Sequence, residues 1–140
     1  MPEKEPKSSQ IPVFIAGNAI LVAGVLIVLM LAVFSVSIGY WLLGAAMMTL
    51  GMFLRRTATY PPKYLKITYV FLDSLGSTLL FLDCIVLISF VASWVAAGSG
   101  TSVRFDALIW AGALTIMQVI ISKFENRFAP QKPVAKRRLE

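Results

Sequence analysis

The sequence predicts an all-α fold: a bundle of four transmembrane helices with both termini cytoplasmic. Three observations lead there. Over 140 residues the chain is 58% hydrophobic and only 14% charged, with a mean hydropathy of +0.79; a soluble domain sits nearer 45–50% and about 25%. Four apolar stretches approach or exceed the roughly 20 residues that cross hydrocarbon. Lys and Arg concentrate in segments that four crossings would place on one side. This composition excludes an ordinary soluble fold, a disordered chain and a nucleic-acid-binding domain, despite the net charge of +6.

Residues 1–10 form an N-terminal tail carrying Lys4 and Lys7. The apolar run behind it is too long for the core of a cleavable signal, so the first helix is expected to stay. That run, 11–34, holds no charge. The second, 38–54, is also uncharged but near the short limit. Ser35-Val36-Ser37 separates the two, which predicts a tight antiparallel hairpin. Arg55–Lys63 then leads into the third run, with Pro61-Pro62 stopping any continuous helix. The third run lies within residues 64–97, more than one crossing needs. Residues 98–102 connect it to the fourth, 103–122, with Arg104 and Asp106 at its mouth. The membrane domain is therefore 11–124, followed by a basic cytoplasmic tail, 125–140.

The frame of the third helix turns on its two acids. A span of 67–87 immerses both Asp73 and Asp83, at about 2.5–3.5 kcal/mol each near the centre. A span of 75–95 holds the same number of Leu, Ile, Val and Phe residues, twelve, but only Asp83. The second frame wins by one Asp penalty. It predicts Asp73 at the cytoplasmic interface, Asp83 near the midplane, and a helical extension over 64–74.

Orientation follows from the cations. Arg55, Arg56, Lys63 and Lys66 flank the second connection, and Lys136, Arg137 and Arg138 end the tail, whereas the opposite loops hold only Arg104. These seven residues are the expected contacts to anionic lipid headgroups.

An intramembrane carboxyl is a functional hypothesis by default. No Lys, Arg or His shares the depth of Asp83, so a neutral, hydrogen-bonding carboxyl is expected. Its candidate partners are Thr115, Gln118 and Thr49, with Asn18 and Ser77 further toward the cytoplasm. The polar cluster has two readings, an ion-coupling site or structural glue between helices. Asp73, Gly76, Ser77, Leu80, Asp83 and Cys84 share one helix face, which is expected to point into the bundle, with Cys84 a small buried hydrophobe. Gly17 and Gly24, and again Gly44 and Gly51, lie seven apart and permit close backbone approach. They serve either packing within the chain or a face for a partner or second copy.

The chain lacks His and has one Cys. It offers no nucleophile–base pair, metal set or phosphate loop, so neither catalysis nor a metal or other cofactor is expected.

The layout resembles the tetraspan membrane proteins. Gly17-Asn18 followed by Gly24 is similar to the first helix of tetraspanins, notably the uroplakin type, although the spacing is six rather than seven and the large outer loop with its Cys-Cys-Gly motif is missing. Phe81-Leu82-Asp83 followed by Ala92, Ala96 and Ala97 resembles the MARVEL-type proteins. The resemblance implies a role in organising membrane proteins and transfers no site residue. Small multidrug transporters share the size and helix count, but their coupling acid stands in the first helix, which has none here. The expected function is that of a non-catalytic scaffold or accessory subunit in a membrane complex. Its partners are the bilayer, anionic headgroups and other membrane proteins or itself. The alternative is a small oligomeric transporter or channel using Asp83.

Overall fold

The computed structural model describes residues 5–34, 38–100 and 102–130, the side chains of 33, 34, 38 and 63 aside. The described chain is helical throughout its regular parts: α1 (Ile11–Phe34), α2 (Ile38–Thr59), α3 (Ile67–Ala96) and α4 (Phe105–Phe128). Short 3-10 turns at Ser8–Gln10, Pro62–Tyr64 and Ala97–Ser99 complete it. Among the described residues three stretches are long and apolar enough to cross a membrane: Ser8–Ala32, Ile67–Ser99 and Phe105–Phe128. Little of them is buried, only 11% of the apolar window in α4, and Trp94 and Ile109 are 67% and 76% exposed. Apolar surface on that scale needs lipid or another protein against it.

The helix ends have local causes. α2 runs about one turn beyond its apolar stretch, and there the Thr57 and Thr59 hydroxyls donate to the Leu54 and Arg55 carbonyls, so neither is left unmet. Pro61 and Pro62 then stop it. The expected helical extension from Tyr64 is shorter in the structure: Lys66 is extended (φ −69°, ψ 119°) and α3 begins at Ile67. α4 begins at Phe105 rather than residue 103, as the Arg104 amide donates to Ser93 Oγ at 3.1 Å. Gly100 closes the α3–α4 turn at φ +92°, a conformation that disfavours a β-carbon.

The closest packing joins α1 and α2, and a second hairpin pairs α3 with α4. α2 against α3 links the two, whereas among the described residues α4 has α3 as its only substantial neighbour. At the α1–α2 crossing, Gly17 meets Gly51 and Gly24 meets Gly44, so a step of seven up one helix is a step of seven down the other. A β-carbon on Gly51 would lie 2.7 Å from Leu21 Cα, and one on Gly17 2.7 Å from the Arg55 nitrogen. One on Gly24 would lie 2.8 Å from the Met48 nitrogen. At Gly44 the obstacle is a side chain, with Val28 Cγ2 at 2.6 Å. These four glycines bring two backbones together inside the chain. Gly76 differs, since its nearest atom is Ile121 Cγ2 at 3.8 Å, an ordinary contact. The core above the crossing is Val28, Met48, Leu82 and Ile85; a second cluster, Tyr60, Tyr69 and Val70, seals the end near the Pro61 turn.

Candidate functional site

The polar residues of α3 are shared between its two neighbours. Ser74 and Thr78 face α2 and are fully buried. Their hydroxyls return to the Val70 and Ser74 carbonyls at 2.7 and 3.1 Å, so neither leaves a polar atom unmet in an apolar setting. Thr49 of α2 reaches the Thr78 hydroxyl at 3.0 Å rather than Asp83.

Where α2 ends, Arg56 turns inward. Its guanidinium lies 3.3 Å from an Asp73 carboxylate oxygen and donates to Ser77 at 2.8 Å and Ser74 at 3.4 Å. Tyr60 donates to the same Asp73 oxygen at 2.5 Å. Burial first, and then that bond to Asp73, push the Tyr60 hydroxyl above its ordinary pKa. Arg56, expected at the headgroups, thus ties α2 to α3 beside a carboxylate. Both ionic side chains are mostly covered, at 16% and 19% exposure, so removing either partner would strand the other's charge at a greater cost than at a solvated pair.

Deeper along α3, Asp83 is buried and faces α4. Its Oδ2 accepts from the Thr115 hydroxyl at 2.8 Å, and its Oδ1 is buried with no hydrogen-bond partner. Of the candidate partners, Thr115 alone bonds to Asp83. Gln118 stands one turn along α4, in a cleft of about 180 Å³ that Asp73, Ser77, Ser122 and Glu125 also line. Ser77 bonds to Arg56, and Asn18 is half-buried on α1.

Leu80 and Cys84, expected to face the interior, are exposed. α2 and α4 approach α3 on two sides, and the strip between them stays open; this corrects the single inward face and the buried cysteine. Arg55 is half-buried with its guanidinium 6.0 Å from the Phe14 ring centre, and Lys66 is exposed before α3. The Lys63 side chain, Lys136, Arg137 and Arg138 lie outside the described residues, as does the 35–37 connection. Among the described residues no group of three or more His, Cys, Asp or Glu is placed to hold a metal.

Sequence reasoning passed over Tyr60, Ser74, Thr78, Ser122 and Glu125. A signal existed for one contact: Arg56 and Asp73 are opposite charges on either side of a Pro-Pro turn, where a hairpin would bring them level. Comparison with protein-family models, with curated proteins and with solved structures gave no match.

Proposed function

We propose that the chain is a four-crossing integral membrane protein with both termini cytoplasmic, acting as a non-catalytic accessory or scaffold subunit. α2 supplies the fourth crossing in this reading. It is not among the three stretches apolar enough on their own, but it is shielded by α1 and α3, and its Arg56 charge is met by Asp73. The observation that carries the reading is the open flank of α4. A closed four-helix bundle gives each helix two neighbours, whereas among the described residues α4 packs substantially on α3 alone. Gly112 on that helix has no atom within 4 Å of where a β-carbon would stand, so a partner helix could approach closely there. Gly17, Gly24, Gly44 and Gly51 already face one another between α1 and α2. The layout also fits the tetraspan resemblance.

The test is purification of the full chain in a mild detergent. A stoichiometric membrane partner is expected, and Gly112→Phe should release it while the protein stays folded. A chain that purifies alone, with or without Gly112, would defeat the scaffold reading.

A second reading, a small transporter or channel, is favoured by the unpartnered Asp83 oxygen. Flux in vesicles that is lost in Asp83→Asn with assembly intact would support it over the first.

A further inference from the structure

The polar cleft lies between α3 and α4, with Asp73 and Glu125 at one end and Leu80 and Gln118 at the other. Leu80 is three positions before Asp83, and Gln118 three after Thr115, so the cleft reaches to about one helical turn, about 5 Å, from the Asp83–Thr115 pair. Its volume of about 180 Å³ holds several waters, and Ser77, Gln118 and Ser122 offer them hydrogen bonds. About one turn beyond its inner end stands a carboxyl oxygen, on a residue only 8% exposed, with no hydrogen-bond partner among the described residues.

We propose that this cleft is a water-filled access path, opening toward the end of the bundle that carries Arg56, through which Asp83 takes up and releases a proton. The step is one transfer: hydronium in the cleft gives its proton to the Asp83 carboxylate and leaves water, and the return step hands it back. Thr115 donates to Oδ2 in both states, which leaves Oδ1 to take the proton. Leu80, half exposed, is the apolar barrier between cleft and carboxyl.

The charges around α3 suit this polarity. α1 carries no titratable group. On α2, Arg55 and Arg56 stand at the mouth end and Tyr40 at the far end; on α4, Lys123, Glu125 and Arg127 stand at the mouth end and Asp106 at the far end. Asp73, on α3 itself, is held by Arg56 and Tyr60. Cys84, next to Asp83, is exposed. The inference rests on the Asp83 site of the second reading but requires no flux, because a path from one side makes a proton-binding site without making a transporter.

The test uses the full chain with Cys84→Ala in vesicles of one orientation. Single cysteines are placed in the cleft (Gln118→Cys, Ser122→Cys), on the lipid face (Ile116→Cys) and beside the mouth (Lys66→Cys). A membrane-impermeant cationic methanethiosulfonate is expected to reach both cleft cysteines about tenfold faster than Ile116→Cys, because a hydrated thiol ionises more readily. It should do so from the side that modifies Lys66→Cys. Dicyclohexylcarbodiimide, which reacts with protonated carboxyls in apolar surroundings, should label Asp83 and lose that label as pH rises on the same side. Gln118→Leu, which removes a hydrogen-bonding group from the cleft without touching Asp83, should slow the response. Cleft cysteines no faster than Ile116→Cys would overturn the proposal. So would Asp83 labelling that ignores pH on that side or follows pH on the other. Fast modification of Ile116→Cys would instead defeat the membrane placement of α4.

Discussion

Gly51→Ala adds one methyl group where the structure leaves least room. The new carbon would sit 2.7 Å from Leu21 Cα and 2.8 Å from the Gly17 carbonyl oxygen, both backbone atoms. Carbon atoms rest at about 3.5–4.0 Å, so the α1 backbone must retreat by about 1 Å. Overpacking of this kind costs about 1–3 kcal/mol. The higher helix propensity of Ala returns about 1 kcal/mol, leaving a net loss of about 0–2 kcal/mol. Gly112→Ala is the matched control: the same chemistry on α4, with nothing within 4 Å, so only the propensity gain applies. Folding free energies in mixed detergent micelles should therefore place Gly51→Ala about 1–3 kcal/mol below Gly112→Ala. The register adds a sharper requirement. Gly17 and Gly51 meet at one point, so once either methyl has parted the helices the second has room. The double variant Gly17→Ala/Gly51→Ala should lose less than the sum of the singles, whereas Gly51→Ala with Gly112→Ala should be additive. Equal stability of Gly51→Ala and Gly112→Ala, or strict additivity of the Gly17–Gly51 pair, would refute the glycine crossing.

Arg56→Met should cost about 2 kcal/mol, between the value of an exposed pair and the roughly 3–5 kcal/mol of a buried one, because Asp73 keeps its charge without a cation. Asp73→Asn in the same chain should recover part of that loss in a thermal melt. Thr115→Val leaves both Asp83 oxygens unmet and should destabilise by about 1–2 kcal/mol, with Asp83→Leu in the Thr115→Val background restoring stability in the same micelle assay. For Tyr60 the raised folded pKa fixes the sign: its contribution is complete below the unfolded value of about 10 and declines as pH rises through the higher folded value. Tyr60→Phe should remove one late-titrating residue from the tyrosinate absorbance curve and lessen the alkaline loss of stability.

The helices were legible because the apolar runs are long and their breakers strong; Pro61-Pro62 and the 98–102 linker stand where α2, α3 and α4 end or begin. The spacing of seven in Gly17–Gly24 and Gly44–Gly51 was also readable. Which surface those glycines face was not, because a stripe of glycine looks the same whether it meets a neighbour in the chain or another protein. The destination of Arg56 was hidden for a related reason. A cation at a helix end satisfies the headgroup pattern, and only the turn geometry brings it level with Asp73 and Ser77. The open strip with Leu80 and Cys84 depends on the angle between α2 and α4 around α3, and a periodicity count on one helix carries no information about that angle.

The Arg56–Asp73 pair also alters the argument that set the depth of α3. The 75–95 frame was preferred because a bare Asp73 in hydrocarbon is costly. Asp73 is not bare: a guanidinium and a phenol meet one of its oxygens, so the penalty that favoured one frame is reduced. Geometry places Asp83 without that penalty. The 30 residues of α3 extend about 45 Å, against a hydrocarbon thickness of about 30 Å. Asp83 stands about 24 Å from the first residue of the helix. Slide the hydrocarbon along α3 from one end to the other, and it contains Asp83 at every position, at least about 6 Å from either face. Asp73, about 9 Å from the helix start, is immersed only in the frames nearest that end. A crossing by α3 therefore obliges the protein to hold one carboxyl in the membrane interior. What it supplies there is a single hydroxyl, from Thr115, to one of the two carboxyl oxygens.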